Sequence, residues 1–177
     1  MPAAPIARLT EYDWACGRTI DAAFARFQGM DPSPTQWVVF ATLVHRQTGG
    51  RDDRSCNPLR VRGAGWAGLV GVATHGKDGT GTASFETNAD GCRAAAVLCQ
   101  FAEYRSVQLA YRTGDCLLLA AAVAASPLRG VMHLDGLVDE VRARLPQRRG
   151  PRSLVRLALI RLRVLPEPSA LFSSGPD

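Results

Sequence analysis

The sequence carries one lysine, Lys77, against twenty arginines, only three histidines, and few aromatic residues, 7% of the total. No apolar run approaches bilayer length: residues 117–125 fall far short of the ~20 residues a spanning helix needs, which excludes a helical membrane protein. Arg8, Glu11 and Asp13 interrupt the amino-terminal residues where a secretory leader needs an unbroken apolar core, so no signal peptide is expected. The five cysteines (Cys16, Cys56, Cys92, Cys99, Cys116) are odd in number and form no C-x-x-C pair. That pattern points away from a disulfide framework or zinc site and toward reduced, mostly buried thiols. His45 has no second histidine or carboxylate at ligand or dyad spacing along its own segment, and reads as a helix-end histidine. No metal and no cofactor is expected.

The rest of the composition, 46% apolar and 21% charged over 177 residues and 19.0 kDa, is that of a globular chain able to bury about two-thirds of its unfolded surface around one core. The formal charge of +5 is unevenly placed. Residues 141–163 hold eight arginines and no acid, so the remainder of the chain is net negative.

Local signals divide the chain into elements. Thr10 and Asp13 have capping-box spacing before a segment whose Ile20, Phe24 and Phe27 share one helical face, predicting a helix over residues 11–28 stopped at Gly29. Ser33, Pro34 and Gln36 start a second helix, apolar nearly all round from Trp37 to Val44 and ended by Gly49 and Gly50, which reads as the central buried helix. Ten of the 17 glycines lie between Gly49 and Gly91. The apolar patches 66–73 and 82–85 within that stretch are too short and glycine-broken for long helices and predict loops with a short hairpin or sheet. Its tip, around His75, Gly76, Gly79 and Gly81, lacks the residue order of a phosphate cradle. Helical spacing returns in Ala94, Val97, Leu98 and Phe101, continues in Val107, Ala110 and Tyr111, and resumes after Gly114 and Asp115 up to Ser126 and Pro127. Leu134, Leu137, Val138, Val141 and Leu145 form a last apolar stripe before Pro146. A Pro/Gly/Arg linker then leads to a cationic amphipathic helix over residues 153–165, and residues 166–177 read as a loose end. The expected fold class is mainly α (α+β), with a domain over 1–130, C-terminal helices and their Arg-rich linker over 131–165, and a flexible end.

The order of these pieces carries a resemblance. A buried helix ends in Gln47-Thr48, Asn57-Pro58 follows after a polar loop, and Gly65-Trp66-Ala67-Gly68-Leu69-Val70-Gly71 makes a glycine-rich turn downstream. In this the chain resembles the lysozyme-like superfamily, in its lytic transglycosylase and goose-type patterns. It is also similar to wall-degrading domains of phages of actinobacteria, through Asn57-Pro58-Leu59-Arg60, Phe85, Gly91-Cys92-Arg93-Ala94 and Ser126-Pro127, in matching order over roughly residues 34–127. The resemblance implies a lysozyme-like fold and a phage or prophage-type protein that engages peptidoglycan glycan strands. It further implies a place in the virion, or in the bacterial cytoplasm before release.

Glycosidic cleavage in that superfamily uses a carboxylic acid of raised pKa at the end of the central helix. Gln47 stands there, three residues after Val44, seven after Phe40 and ten after Trp37, on their inward face. An amide cannot deliver the proton, so the resemblance implies a weakly hydrolytic or catalytically degenerate protein unless Asp52, Asp53 or Glu86 substitutes; solvated loop charge is the simpler reading of these three. The Met-Gln end of the transglycosylase turn is also replaced, by Val70 and Gly71. Trp66 and Tyr104 are candidates to stack on sugar rings or to close the core, and Asn57 to contact sugar or to bond nearby backbone. Two other classes remain open: a non-enzymatic virion component that keeps the fold as a scaffold and contacts other virion subunits, and nucleic-acid or anionic-surface binding through Arg148, Arg149, Arg152 and Arg156.

Overall fold

Thr10 opens the first helix with the predicted capping box: its Oγ1 accepts from Asp13 N at 3.3 Å while the Asp13 carboxylate accepts from Thr10 N at 2.7 Å. In the computed structural model, which describes residues 6–52, 55–74 and 81–145, this helix is α1, Glu11–Gln28. Pro34 at the first helical position starts α2, Pro34–Thr48, whose buried run from Val38 to Val44 makes it the centre of the core. The two helices cross at Gly17, where an added Cβ would lie 2.7 Å from Ala41 N, so this contact admits only glycine.

Between them sits an aromatic trio. Phe24 of α1, Phe40 of α2 and Tyr111 of α4 (Arg105–Arg112) have ring centroids 4.5 to 6.3 Å apart. Tyr111 Oη donates to Asp21 Oδ1 at 2.7 Å, Ser33 N donates to Asp21 Oδ2 at 3.0 Å, and Gln36 Nε2 donates to Tyr111 O at 2.6 Å. Burial raises the Asp21 carboxyl above its ordinary value, and the hydrogen bonds from Tyr111 and Ser33 oppose it. The polar groups of this layer are thus matched to one another across three helices.

The glycine-rich stretch contains the expected hairpin. β1 (Leu69–Thr74) pairs antiparallel with β2 (Gly81–Phe85), with a register irregularity between Leu69 and Gly71. Ala83 and Phe85 of β2 face the core in strict alternation with its more accessible positions. α3 (Asn88–Leu98), capped by Thr87, runs parallel to α1: Tyr12 Oη donates to Asn88 Oδ1 at 3.3 Å at one end, and Gln28 Nε2 to Gln100 Oε1 at 2.5 Å at the other. α5 (Cys116–Ala124) is capped by Asp115, whose Oδ1 accepts from Leu117 N and Leu118 N, and α6 (Leu137–Arg144) packs on α5 and α2.

The described residues up to Leu145, α6 included, form one packed unit, mainly helical with one small sheet. Among the described residues no helix is long and apolar enough to cross a membrane. The elements expected over 146–177, with Arg148, Arg149, Arg152 and Arg156, and the hairpin tip at His75, lie outside the described residues, as does Asp53.

Two positions depart from the predicted apolar stripes. Phe27, expected inward with Ile20 and Phe24, is 52% exposed, because it lies in the last turn of α1, past the Phe40 and Tyr111 rings that cover Phe24. Phe101, expected to continue the stripe of α3, is 46% exposed, because α3 stops at Leu98 and the chain changes direction into a short 3-10 turn.

Candidate functional site

The last turn of α2 carries four polar side chains, and three of them are engaged. His45 Nδ1 lies 2.7 Å from Asp13 Oδ2, so the carboxylate partner that its own helix does not offer comes from α1. Asp13 is fully buried; its Oδ2 also accepts from Thr10 N and Thr10 Oγ1, while its Oδ1 has no hydrogen-bond partner. Arg46 is held by α6 and the turn before it. Its Nε donates to Glu140 Oε2 at 2.6 Å and its Nη1 to the carbonyls of His133 and Asp135 at 3.1 and 2.9 Å. Burial alone would raise the Glu140 carboxyl, but the hydrogen bonds from Arg144 and Arg46 outweigh it and hold the group below its ordinary value. Thr48 Oγ1 donates back to Val44 O at 2.9 Å and accepts from Gly50 N at 3.2 Å.

Gln47 is the exception. It is half-buried, and its amide makes no hydrogen bond among the described residues. Val44 and Phe40, its neighbours on the helical face, are buried. The helix end is therefore clamped on both sides, to α1 through His45 and to α6 through Arg46, while the Gln47 side chain has no hydrogen-bond partner among the described residues.

The loop that follows returns to α1, where Thr10 Oγ1 donates to Gly50 O at 3.0 Å. Asp52 is exposed and accepts from Asn88 Nδ2 at 3.0 Å, which ties it to the start of α3. Glu86, just beyond β2, is exposed, with its backbone N donating to Gly68 O at 3.0 Å. Both carboxylates face water rather than the partly desolvated setting that a glycosidic general acid uses.

Of the two readings of Asn57, the backbone-bonding one is what the structure shows. Asn57 is fully buried; its Nδ2 donates to Val61 O (2.9 Å) and Ala83 O (2.8 Å), and its Oδ1 accepts from Val61 N (2.8 Å). The amide thus pins the loop to β2: both its N–H groups are used, and full burial keeps the second lone pair of Oδ1 from a ligand. Cys56 and Arg60, on either side of Asn57-Pro58-Leu59, hold left-handed φ values of 50° and 51°, a local strain that the pinning maintains. Gly91 completes the arrangement: a Cβ there would fall 2.0 Å from Cys56 O, so the first turn of α3 admits this loop only as glycine.

For Tyr104 the core-closing reading is the one the structure shows: it is buried in the hydrophobic cluster, and burial pushes its phenol up to about 12. Trp66 keeps an open side. Its Nε1 donates to Arg62 O at 3.0 Å, its ring centroid lies 6.3 Å from that of Phe101, and it lines a groove of about 570 Å³ with Arg93 and Val97.

The Asp13–His45 and Arg46–Glu140 pairs escaped sequence reasoning. Periodicity reports which residues of one helix share a face, and both pairs join different helices. The one signal present, the capping box at Thr10 and Asp13, accounts for one carboxylate oxygen and is silent on the histidine. Comparison with protein-family models, curated proteins and solved structures gives no match.

Proposed function

We propose that the chain is a lysozyme-like, phage or prophage-type protein that engages peptidoglycan glycan strands and is weakly hydrolytic or catalytically degenerate. The observation that carries this reading is the end of α2. There a half-buried Gln47, the residue at the position of the superfamily's acid, is the one side chain of the turn without a hydrogen bond among the described residues. A primary amide there can donate to and accept from a saccharide hydroxyl or N-acetyl group, but it has no proton to give to a departing glycosidic oxygen. Recognition then survives where turnover fails. The order of helix end, pinned Asn57 loop, hairpin and second helical group supports the same reading.

The test is cleavage of purified sacculi, with release of soluble muropeptides measured for the wild type and for Gln47→Glu. The expected result is a gain on the order of 10²-fold or more for Gln47→Glu, since the carboxyl would supply the missing general acid. The reading is overturned if neither protein binds or cleaves glycan strands. Co-purification with phage particles by a protein that ignores sacculi would instead establish the non-enzymatic virion component.

A further inference from the structure

Nine of the arginines of the described residues fall into two groups, and the exposed Arg8, Arg51, Arg60 and Arg62 belong to neither. Around α6 they are neutralised: Arg46 and Arg144 pair with Glu140, Arg129 with Asp135, and Arg142 with Asp139. On the face built from α1, α3 and α4 they are not. Arg18, Arg26, Arg105 and Arg112 have no carboxylate partner among the described residues; only Arg93 has one, Asp90. Arg112 Nε donates to Gln28 Oε1 at 2.8 Å, and Arg18 stacks on Trp37 with 5.9 Å to the ring centroid, while Arg26 and Arg105 extend into solvent. Besides Asp90, the exposed carboxylates Asp31, Glu103 and Asp115 lie within four residues of Phe27, Phe101 and Arg112 along the chain.

The same face exposes large apolar side chains on three different elements. Phe27 at the end of α1, Phe101 after α3 and Leu109 on α4 are 52%, 46% and 54% exposed. Phe27 and Phe101 are joined by continuous surface, while Leu109 lines a separate depression with Gln100, Arg105 and Arg112. A trough of about 780 Å³ between α1 and α3, floored by Ala22, Ala23 and Val97, meets the Trp66 groove at Ala67, Arg93 and Val97. The hydrogen bonds Arg112–Gln28–Gln100 then link the ends of α1 and α3 to α4. Protruding phenyl and leucyl side chains beside unpaired arginines match an anionic bilayer, in which apolar tips enter below the headgroups while guanidinium groups meet phosphate. Double-stranded nucleic acid would use the arginines but bury neither Phe27 nor Leu109, and a single strand, which stacks its bases on aromatic rings, would leave Leu109 unused. A protein partner would have to match three separate apolar tips in shape, which a fluid lipid layer does without any matching.

We propose that this face docks the protein on an anionic lipid surface, with Phe27, Phe101 and Leu109 in the headgroup layer and Arg18, Arg26, Arg105 and Arg112 on lipid phosphates. The inference is independent of the reading of Gln47.

Co-sedimentation of the full chain with phosphatidylglycerol-containing vesicles tests it, with pure phosphatidylcholine vesicles as reference. Binding should require the anionic lipid and weaken steeply with salt. Phe27→Ser/Phe101→Ser should lower vesicle affinity roughly tenfold, and Arg26→Gln and Arg105→Gln by about fivefold each. Leu109→Ser, on another helix, should also weaken it, and an unchanged far-ultraviolet spectrum of each variant separates lost docking from lost folding. Equal binding to both lipids, or none to either, overturns the proposal. So does undiminished binding by the variants, which would assign the interaction to the Arg-rich segment after residue 145. Complete displacement by inorganic phosphate alone would mark a free-anion site and refute the lipid source.

Discussion

The helical frame and the glycine-rich stretch from Gly49 to Thr87 are stabilised in opposite ways. The frame is built on burial: Phe24, Phe40, Leu43, Leu119 and Tyr111 are all at or below 1% exposure, drawn from α1, α2, α4 and α5. The glycine-rich stretch contributes few large apolar groups and is placed by direction-dependent contacts, chiefly the three hydrogen bonds of Asn57, the closely spaced Gly91 and Cys56 O, and the return of the loop to Thr10. Burial tolerates small shifts, whereas a saturated buried amide or a Cβ-excluding contact allows one arrangement. The difference teaches that the frame rests on apolar burial, while the stretch that follows α2 is held in one shape by directed contacts to α1, β2 and α3.

Substitutions in the two regions should therefore fail in different manners. Phe24→Ala, which empties the centre of the aromatic trio, is expected to cost about 3–5 kcal/mol and to lower the global unfolding midpoint in urea without changing the character of the transition. Asn57→Ala strips partners from Val61 N, Val61 O and Ala83 O at once. It is expected to cost about 3 kcal/mol, and hydrogen exchange should show Val61 and the β2 amides losing protection before those of α2. If the helices lose protection together with β2, the two regions are not separately stabilised. Gly91→Ala should cost about 1–3 kcal/mol by pushing the Cys56 carbonyl away, with chemical shifts perturbed across residues 55–62 and little change at Phe24.

A smaller effect sharpens the clamp at the end of α2. Glu140 titrates lower in the folded chain than its ordinary value of 4.5, so its contribution is present above that value and is lost as pH falls below it. Glu140→Gln should reduce stability at neutral pH by up to about 1 kcal/mol and flatten the thermal midpoint against pH below about 4.5. A wild-type profile that is already flat there would show that the Arg46–Glu140–Arg144 cluster contributes nothing.

Much of the frame was legible because its signals are local. The bounds expected for the first helix, residues 11–28, coincide with α1, and Pro34 and Gly49 bracket α2, since caps, Pro at the first position and a glycine stop act within one turn. The hairpin was legible as two short apolar patches. Phe27 and Phe101 were misplaced because periodicity gives the direction of a side chain and not whether anything lies in that direction. Tyr104 offered no pattern by which to separate a ring that closes the core from one that meets a ligand.

The candidate site divides along the same line. That Gln47 lies in the last turn of the central helix is a statement about residue type and position, and the chain alone determined it. Which side chains hold the helix end and the loop after it was decided only on folding. The His45, Arg46 and Asn57 partners lie 32, 94 and 26 residues away along the chain, at Asp13, Glu140 and Ala83. No local rule links residues that far apart; packing α1, α6 and β2 against α2 and its loop brings them within hydrogen-bonding reach.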